Sequence, residues 1–272
     1  MGRGSSKAGG GGGNSNNSGG GGNANANTLP KATNQVVAPT PAQVAKGDIT
    51  PIGGVPFSEF EKMTDDEKAD VIDQALRTGV PLFLEDSGMQ RFAYFTGMSD
   101  KPTVVSDDAL DKMSGQELFR TVHSVYDRNK DIGYSGKEIL DQISKGDYTM
   151  YSDSGGSAYG RAIYFGGSFN SSKSYANHNG TDQMMRAKIT SGRVIKDSSA
   201  DTIYNKALSS GDKLAKACSK AGGTDGRNLF LLATGYDAIK DDTWGDYHMI
   251  LNRRCLTVSN TYKDPTKISK WK

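Results

Sequence analysis

The stretch Tyr159-Gly-Arg-Ala-Ile-Tyr-Phe-Gly-Gly-Ser-Phe-Asn-Ser-Ser-Lys-Ser-Tyr-Ala176 gathers residue types that can hold a flat ring. Tyr164 and Tyr175 offer aromatic faces, and Ser172 between them offers a hydroxyl that both donates and accepts. The run Ala162 to Phe165 predicts a short strand, Gly166-Gly167 a turn, and Ser171 the start of a helix. That order brings the two tyrosines near one another at a strand-to-helix junction. A heteroaromatic ring can stack there while its polar edge takes one hydrogen bond. The same pattern also describes a buried strand followed by a surface helix with two half-buried tyrosines, and the residues alone leave both readings open.

Such a junction has to be positioned by other elements. Thr64-Asp-Asp-Glu67 is a capping box, followed by Ala69, Ile72 and Leu76 at helical spacing and then by Gly79, which predicts a helix over 65–78. Ser135-Gly-Lys-Glu138 is a second capping box, opening a short helix with Ile139, Leu140 and Ile143 on one side and Gly146 at its close. Further helices are expected at 199–209 and 211–221. Strands are expected at Glu117 to Val122, Ala162 to Phe165, Ala187 to Thr190, Val194 to Lys196, Ala238 to Ile239, Tyr247 to Leu251 and Cys255 to Ser259. Helices and strands interleave irregularly, so the fold class is α+β rather than a doubly wound sheet. Three regions are expected: a disordered Gly/Asn/Ser-rich tail with a Pro-containing linker over 1–53, a helical region over 54–113, and a main domain over 114–272.

Composition removes several classes of function. The 272 residues carry 33 basic and 31 acidic side chains in mixed order, a net charge of +2, which argues against a surface built to neutralise nucleic-acid phosphates. Only Cys218 and Cys255 occur, neither in the Cys/His spacing that zinc requires, so no metal site is expected and a reducing setting fits. No apolar run approaches the roughly 20 residues that span a bilayer, and no signal-peptide pattern follows Arg3 and Lys7. A soluble chain with no membrane partner is expected. The Gly-rich leader follows no strand and opens no helix, which excludes a dinucleotide-binding turn, and no P-loop frame is present.

The tyrosine segment resembles the ADP-ribosyltransferase family, closest to its poly-ADP-ribose polymerase and diphtheria-toxin-like branch. That branch carries Gly-x-Gly-Ile-Tyr-Phe and, after a short turn, Ser-x-x-Tyr. Gly160, Ile163-Tyr164-Phe165, Ser172 and Tyr175 match, and Ala162 replaces the second glycine. The resemblance implies NAD as substrate, its nicotinamide between Tyr164 and Tyr175 and its carboxamide bonded to Ser172. Leu118-Phe119-Arg120-Thr121 resembles the family's opening strand. Arg120 would then contact NAD phosphate or ribose, and Thr121, in place of glycine, would offer its main chain to the carboxamide. Without that match Arg120 reads as a surface strand arginine in an ion pair; His123 could also be drawn into the site, but it lies off the matching position and a lone histidine is usually structural or solvated. Ala233-Thr-Gly-Tyr-Asp-Ala-Ile239 and Tyr247-His-Met-Ile-Leu-Asn252, with a closing strand near Cys255 to Val258, are similar to bacteriophage and prophage proteins of this kind. The resemblance spans roughly Gln116 to Ser259. It implies two packed, mainly antiparallel sheets with flanking helices, and a location in the host cytoplasm or in a phage virion.

Breaking the nicotinamide–ribose bond passes through an oxocarbenium-like state, for which a carboxylate is wanted. Tyr247 stands where the family's glutamate would align. Asp246, one residue earlier, can serve as the catalytic acid only if a bulge turns it to the other face, and otherwise reads as a solvated strand-end residue. Three functions follow from the resemblance. One is a mono-ADP-ribosyltransferase acting on an unknown acceptor, with Tyr164 and Asp246 in catalysis and Arg120, Thr121, Tyr164, Ser172 and Tyr175 holding NAD. Another is a non-catalytic phage virion protein that keeps the fold. The third is a NAD-binding or NAD-cleaving module without a protein acceptor.

Overall fold

The computed structural model describes residues 57–78, 84–86, 89–91, 101–127, 132–145, 162–176, 182–242 and 245–271. The expected tail and linker over 1–53, with Gly79, Gly146 and Gly160, lie outside the described residues. Helix α1, Phe57–Phe60, precedes α2, Asp65–Thr78. The Glu67 amide donates to Thr64 Oγ1 at 3.3 Å and the Thr64 amide to Glu67 Oε2 at 2.8 Å, the reciprocal cap anticipated from the sequence. Asp65, Asp66 and Glu67 in the first turn complement the positive end of the helix. Ala69 and Ile72 are buried, and Lys68 Nζ donates to the Ala233 carbonyl at 2.8 Å.

Strands β1, Leu84–Asp86, and β2, Met89–Arg91, pair as a small antiparallel ribbon. Strand β3, Thr103–Val105, leads into α3, Asp107–Asp111, and β4, Gln116–Val122. A second ribbon, β5, Val125–Asp127, with β6, Ile132–Tyr134, precedes α4, Gly136–Ser144, whose capping box is formed as expected. Then come β7, Ile163–Gly166, α5, Phe169–Lys173, β8, Gln183–Ile189, and β9, Val194–Lys196. Helices α6, Asp197–Ser210, and α7, Lys213–Ser219, are separated by Gly211, whose φ of 84° supplies the left-handed residue that ends α6. Helix α8, Gly223–Ala233, is followed by β10, Ala238–Lys240, β11, Tyr247–Ile250, a single 3-10 turn at Arg253–Cys255, and β12, Leu256–Lys263.

Eight strands make one mixed sheet in the order β3-β12-β8-β4-β7-β11-β10-β9, and with the helices this is an α+β fold. The inner pairs are antiparallel, while the outermost pairs, β3 with β12 and β9 with β10, are parallel. In place of the two packed sheets that the resemblance implies, these strands form two halves of a single sheet. They meet at a single registered pair, Phe119 with Gly166. Strand β7 ends at Gly166 in the turn to α5, so it has no residue left to pair with Leu118. On the other side the ladder does not continue to Arg120 and Thr121. Helix α4 covers β8, β12 and β4, whereas α6 packs on β9 and β10. A common core of Leu118, Phe165, Met185, Ile250 and Val258 runs beneath both halves. The region 54–113 supplies β3 to the sheet as well as helices, and α2 packs on α7 with ion pairs Lys213–Asp70 at 2.8 Å and Lys220–Asp73 at 2.9 Å.

Candidate functional site

The parting of β4 from β7 is where the sequence-selected residues collect. Past the Phe119–Gly166 pair, Arg120 reaches across the gap and its Nη1 donates to the Tyr164 carbonyl at 2.6 Å. Side chains alternate along a strand, so Thr121 lies on the face opposite Arg120. There its hydroxyl meets that of Ser172 at 3.1 Å. The family resemblance assigns Thr121 a main-chain role; in the structure its side-chain hydroxyl is also engaged, by Ser172.

Ser172 is brought in by the glycine doublet. A Cβ on Gly166 would sit 2.8 Å from Ser171 Oγ and 3.0 Å from the Ser172 nitrogen, so only glycine lets α5 settle this closely on the strand before it. The helix starts with its own box: the Ser171 amide donates to Ser168 Oγ at 3.1 Å and the Ser168 amide to Ser171 Oγ at 3.2 Å. Ser172 is thereby buried at 3% exposure, while Tyr175, just past the helix, is 57% exposed. The Tyr175 hydroxyl donates to the Tyr247 hydroxyl at 2.8 Å, and the rings meet edge-on with centroids 6.1 Å apart. Tyr164 is half-buried.

Strand β11 settles the facing of the candidate acid. Its register with β7 is regular, Tyr247 opposite Gly166, His248 opposite Phe165, Met249 opposite Tyr164, and it is extended by a 2.6 Å bond from the Gly167 amide to the Asp246 carbonyl. No bulge intervenes. Tyr247 therefore shares a face with Tyr164, and Asp246 shares the other with His248. The Asp246 carboxylate lies over the Gly167 Cα, where any side chain at 167 would run into it. The structure thus joins Thr121 to Ser172, Tyr175 to Tyr247 and the Arg120 guanidinium to the Tyr164 carbonyl, with the Tyr164 side chain on the face of Thr121 and Tyr247 and with Arg120 and Asp246 on the other. His123 follows the end of β4 and is half-buried.

The face presented by Thr121, Tyr164, Ser172, Tyr175 and Tyr247 carries hydroxyls and rings and no formal charge. Aromatic faces attract cations, and hydroxyls can bond an amide edge. A flat cationic heteroaromatic ring with a carboxamide has the shape and polarity to suit this set. Arg120 starts from the opposite face, which Leu118 and Asp246 share, and its guanidinium is directed at the Tyr164 carbonyl. On the reverse face His248 is 1% exposed, and neither ring nitrogen has a hydrogen-bond partner among the described residues. Burial, helped by the nearby Lys240 charge, lowers its pKa from 6.5 to about 4, so the imidazole is neutral at pH 7.

Two features escaped the sequence reading. Tyr247 is the hydroxyl partner of Tyr175, a pairing across 72 residues that no local pattern signals. Phe119, Phe169 and Trp271 form an aromatic wall beside α5, with centroids 6.0 Å and 6.2 Å from Phe119. Its only sequence signal is an aromatic residue at each place. Among the described residues no group of His, Cys, Asp and Glu could hold a metal ion, and no helix is long and apolar enough to cross a membrane. Comparisons with family models, curated proteins and solved structures find no match to this chain.

Proposed function

We propose that this chain is a NAD-dependent mono-ADP-ribosyltransferase whose substrate lies in the gap between β4 and β7. The observation that carries the reading is the Thr121–Ser172 hydroxyl pair beside that gap, with Arg120 bonded across it to the Tyr164 carbonyl and Tyr175 bonded to Tyr247 on the face that Tyr164 shares. Nicotinamide, positively charged while attached to ribose, stacks on Tyr164 and Tyr175, and its carboxamide takes the place of one partner in the hydroxyl pair. Arg120 serves the phosphate or ribose side. In the reaction the C1′–N1 bond breaks and nicotinamide leaves neutral with the bonding electron pair. An acceptor nucleophile then bonds to C1′ and gives up its proton. Tyr164 positions the leaving ring. Tyr247, not Asp246, faces the ribose, so positioning and desolvation supply the rate without an adjacent carboxylate. The resemblance of 233–239 and 247–252 to phage and prophage proteins makes such an origin part of the proposal.

A second reading is favoured by one observation. Tyr247, which the resemblance aligns with the family's glutamate, has its hydroxyl bonded to Tyr175, and Asp246 faces away. On that reading the chain is a phage virion structural protein that keeps the fold and transfers nothing. The separating experiment incubates labelled NAD with a host lysate and wild type, Tyr164→Ala or Tyr247→Glu. The transferase reading expects slow label transfer by wild type and its loss in Tyr164→Ala. It also expects a gain of about 100-fold in Tyr247→Glu, the usual worth of one well-placed charge-stabilising group. NAD bound by wild type with no transfer by either wild type or Tyr247→Glu selects the structural reading. No NAD bound by wild type removes the proposed ligand.

A further inference from the structure

We infer that the segment after β12, Asp264–Trp271, is a positioning clamp that holds α5, and with it Ser172 and Tyr175, against β4. The inference rests on the gap between β4 and β7 being the ligand site. Helix α5 has five residues, far short of what sustains an isolated helix, so its place must be fixed by contacts outside itself. Both of its ends reach the segment. At its last residue, Lys173 Nζ donates to the Ile268 carbonyl at 2.9 Å. At its first, the Phe169 ring packs edge-on against Phe119, which packs in turn against Trp271. Trp271 is held by an indole N–H donated to Asp107 Oδ2 at 3.3 Å and by Lys263 Nζ 4.6 Å from its ring centre. The start of the segment is fixed by Asp264 Oδ1, which accepts from the Thr266 amide at 2.9 Å and its hydroxyl at 2.6 Å. Phe119 is also the residue of β4 that meets β7. One aromatic chain thus links the segment, the junction of the half-sheets and the helix that carries Ser172.

The test compares wild type, Trp271→Ala and Trp271→Phe by amide hydrogen exchange and by labelled-NAD binding. The Ser172, Ser174 and Tyr175 amides are bonded within this turn at 3.2, 3.1 and 3.2 Å and report its integrity. In Trp271→Ala they should exchange about tenfold faster while amides of α6 and α7 keep their rates, and NAD should bind about tenfold more weakly. Trp271→Phe, which keeps the ring contact with Phe119, should restore both. In a Trp244→Phe background Trp271 is the one tryptophan left, and its emission should change with the same midpoint as NAD binding. Unchanged exchange at the three amides in Trp271→Ala overturns the clamp, and so does unchanged affinity when exchange is accelerated. If wild type binds no NAD the functional reading falls, and exchange alone then decides the clamp.

Discussion

Replacing Arg120 with methionine keeps an unbranched apolar stem and removes the guanidinium that spans the gap between the half-sheets. The backbone link at that junction is one registered pair, and the 2.6 Å bond from Nη1 to the Tyr164 carbonyl joins β4 to β7 beside it. A hydrogen bond from a charged donor contributes about 1.5–3 kcal/mol net. Taking about 2 kcal/mol, and about 2–4 °C per kcal/mol for a domain of this size, the melting temperature should fall by about 4–8 °C. Urea denaturation followed by circular dichroism measures the same loss, and an unchanged slope would show that the transition still exposes the same surface. Arg120→Lys should recover part of it, since an ammonium can reach the carbonyl but lacks the planar fork. A loss below about 0.5 kcal/mol for Arg120→Met, the range of an ordinary surface change, would show that the guanidinium does not hold the junction.

Two further variants probe the buried packing elsewhere in the fold. In Gly226→Ala the new Cβ would sit 2.7 Å from the Cys218 carbonyl and 2.9 Å from the Tyr204 hydroxyl. The gain in helix propensity is about 1 kcal/mol and overpacking against backbone costs about 1–3 kcal/mol, so a lower melting temperature is expected; a higher one would mean that α7 and α8 have room to spare. His248, at about 4 when folded against 6.5 when free, is neutral in the native state and takes up a proton first in the unfolded chain. Its contribution is present above pH 6.5 and falls between about 6.5 and 4, by as much as about 3 kcal/mol. His248→Phe should flatten the urea midpoint across that window, and parallel pH curves for wild type and variant would contradict the assignment.

How far the fold could be read in advance depended on how local its causes are. The capping boxes at Thr64 and Ser135 act over three residues, and both helices start where these boxes place them. Helix α8 was not anticipated because Gly223 and Gly226 resemble breaks and because Leu229 to Ala233 are buried all round, which erases the one-sided periodicity of a surface helix. Gly226 is there for the close approach of α7. Strand β8 starts four residues earlier than the Ala187 expected, because Arg186 sits buried within it and breaks the apolar run. Its charge is met by Asp111 and Glu117, from α3 and β4, which only the fold brings near. At the site, the strand-turn-helix order around Gly166-Gly167 was legible from residue types. The Tyr175–Tyr247 pairing and the regular start of β11 depend on strand register, which is set by partners distant in sequence.

The outermost strands have a bearing on self-association. β3 and β9 are three residues each, so at about 3.3 Å per residue each of these two strands itself offers a neighbouring molecule only about 10 Å of backbone to template on. Pro102 stands just before one, and the other runs through Lys196 straight into α6. A proline and a lysine are residues that blunt strand addition. These two strands are therefore poor templates for a further copy, and a concentrated solution of the folded chain should resist assembling into cross-β fibres through β3 or β9.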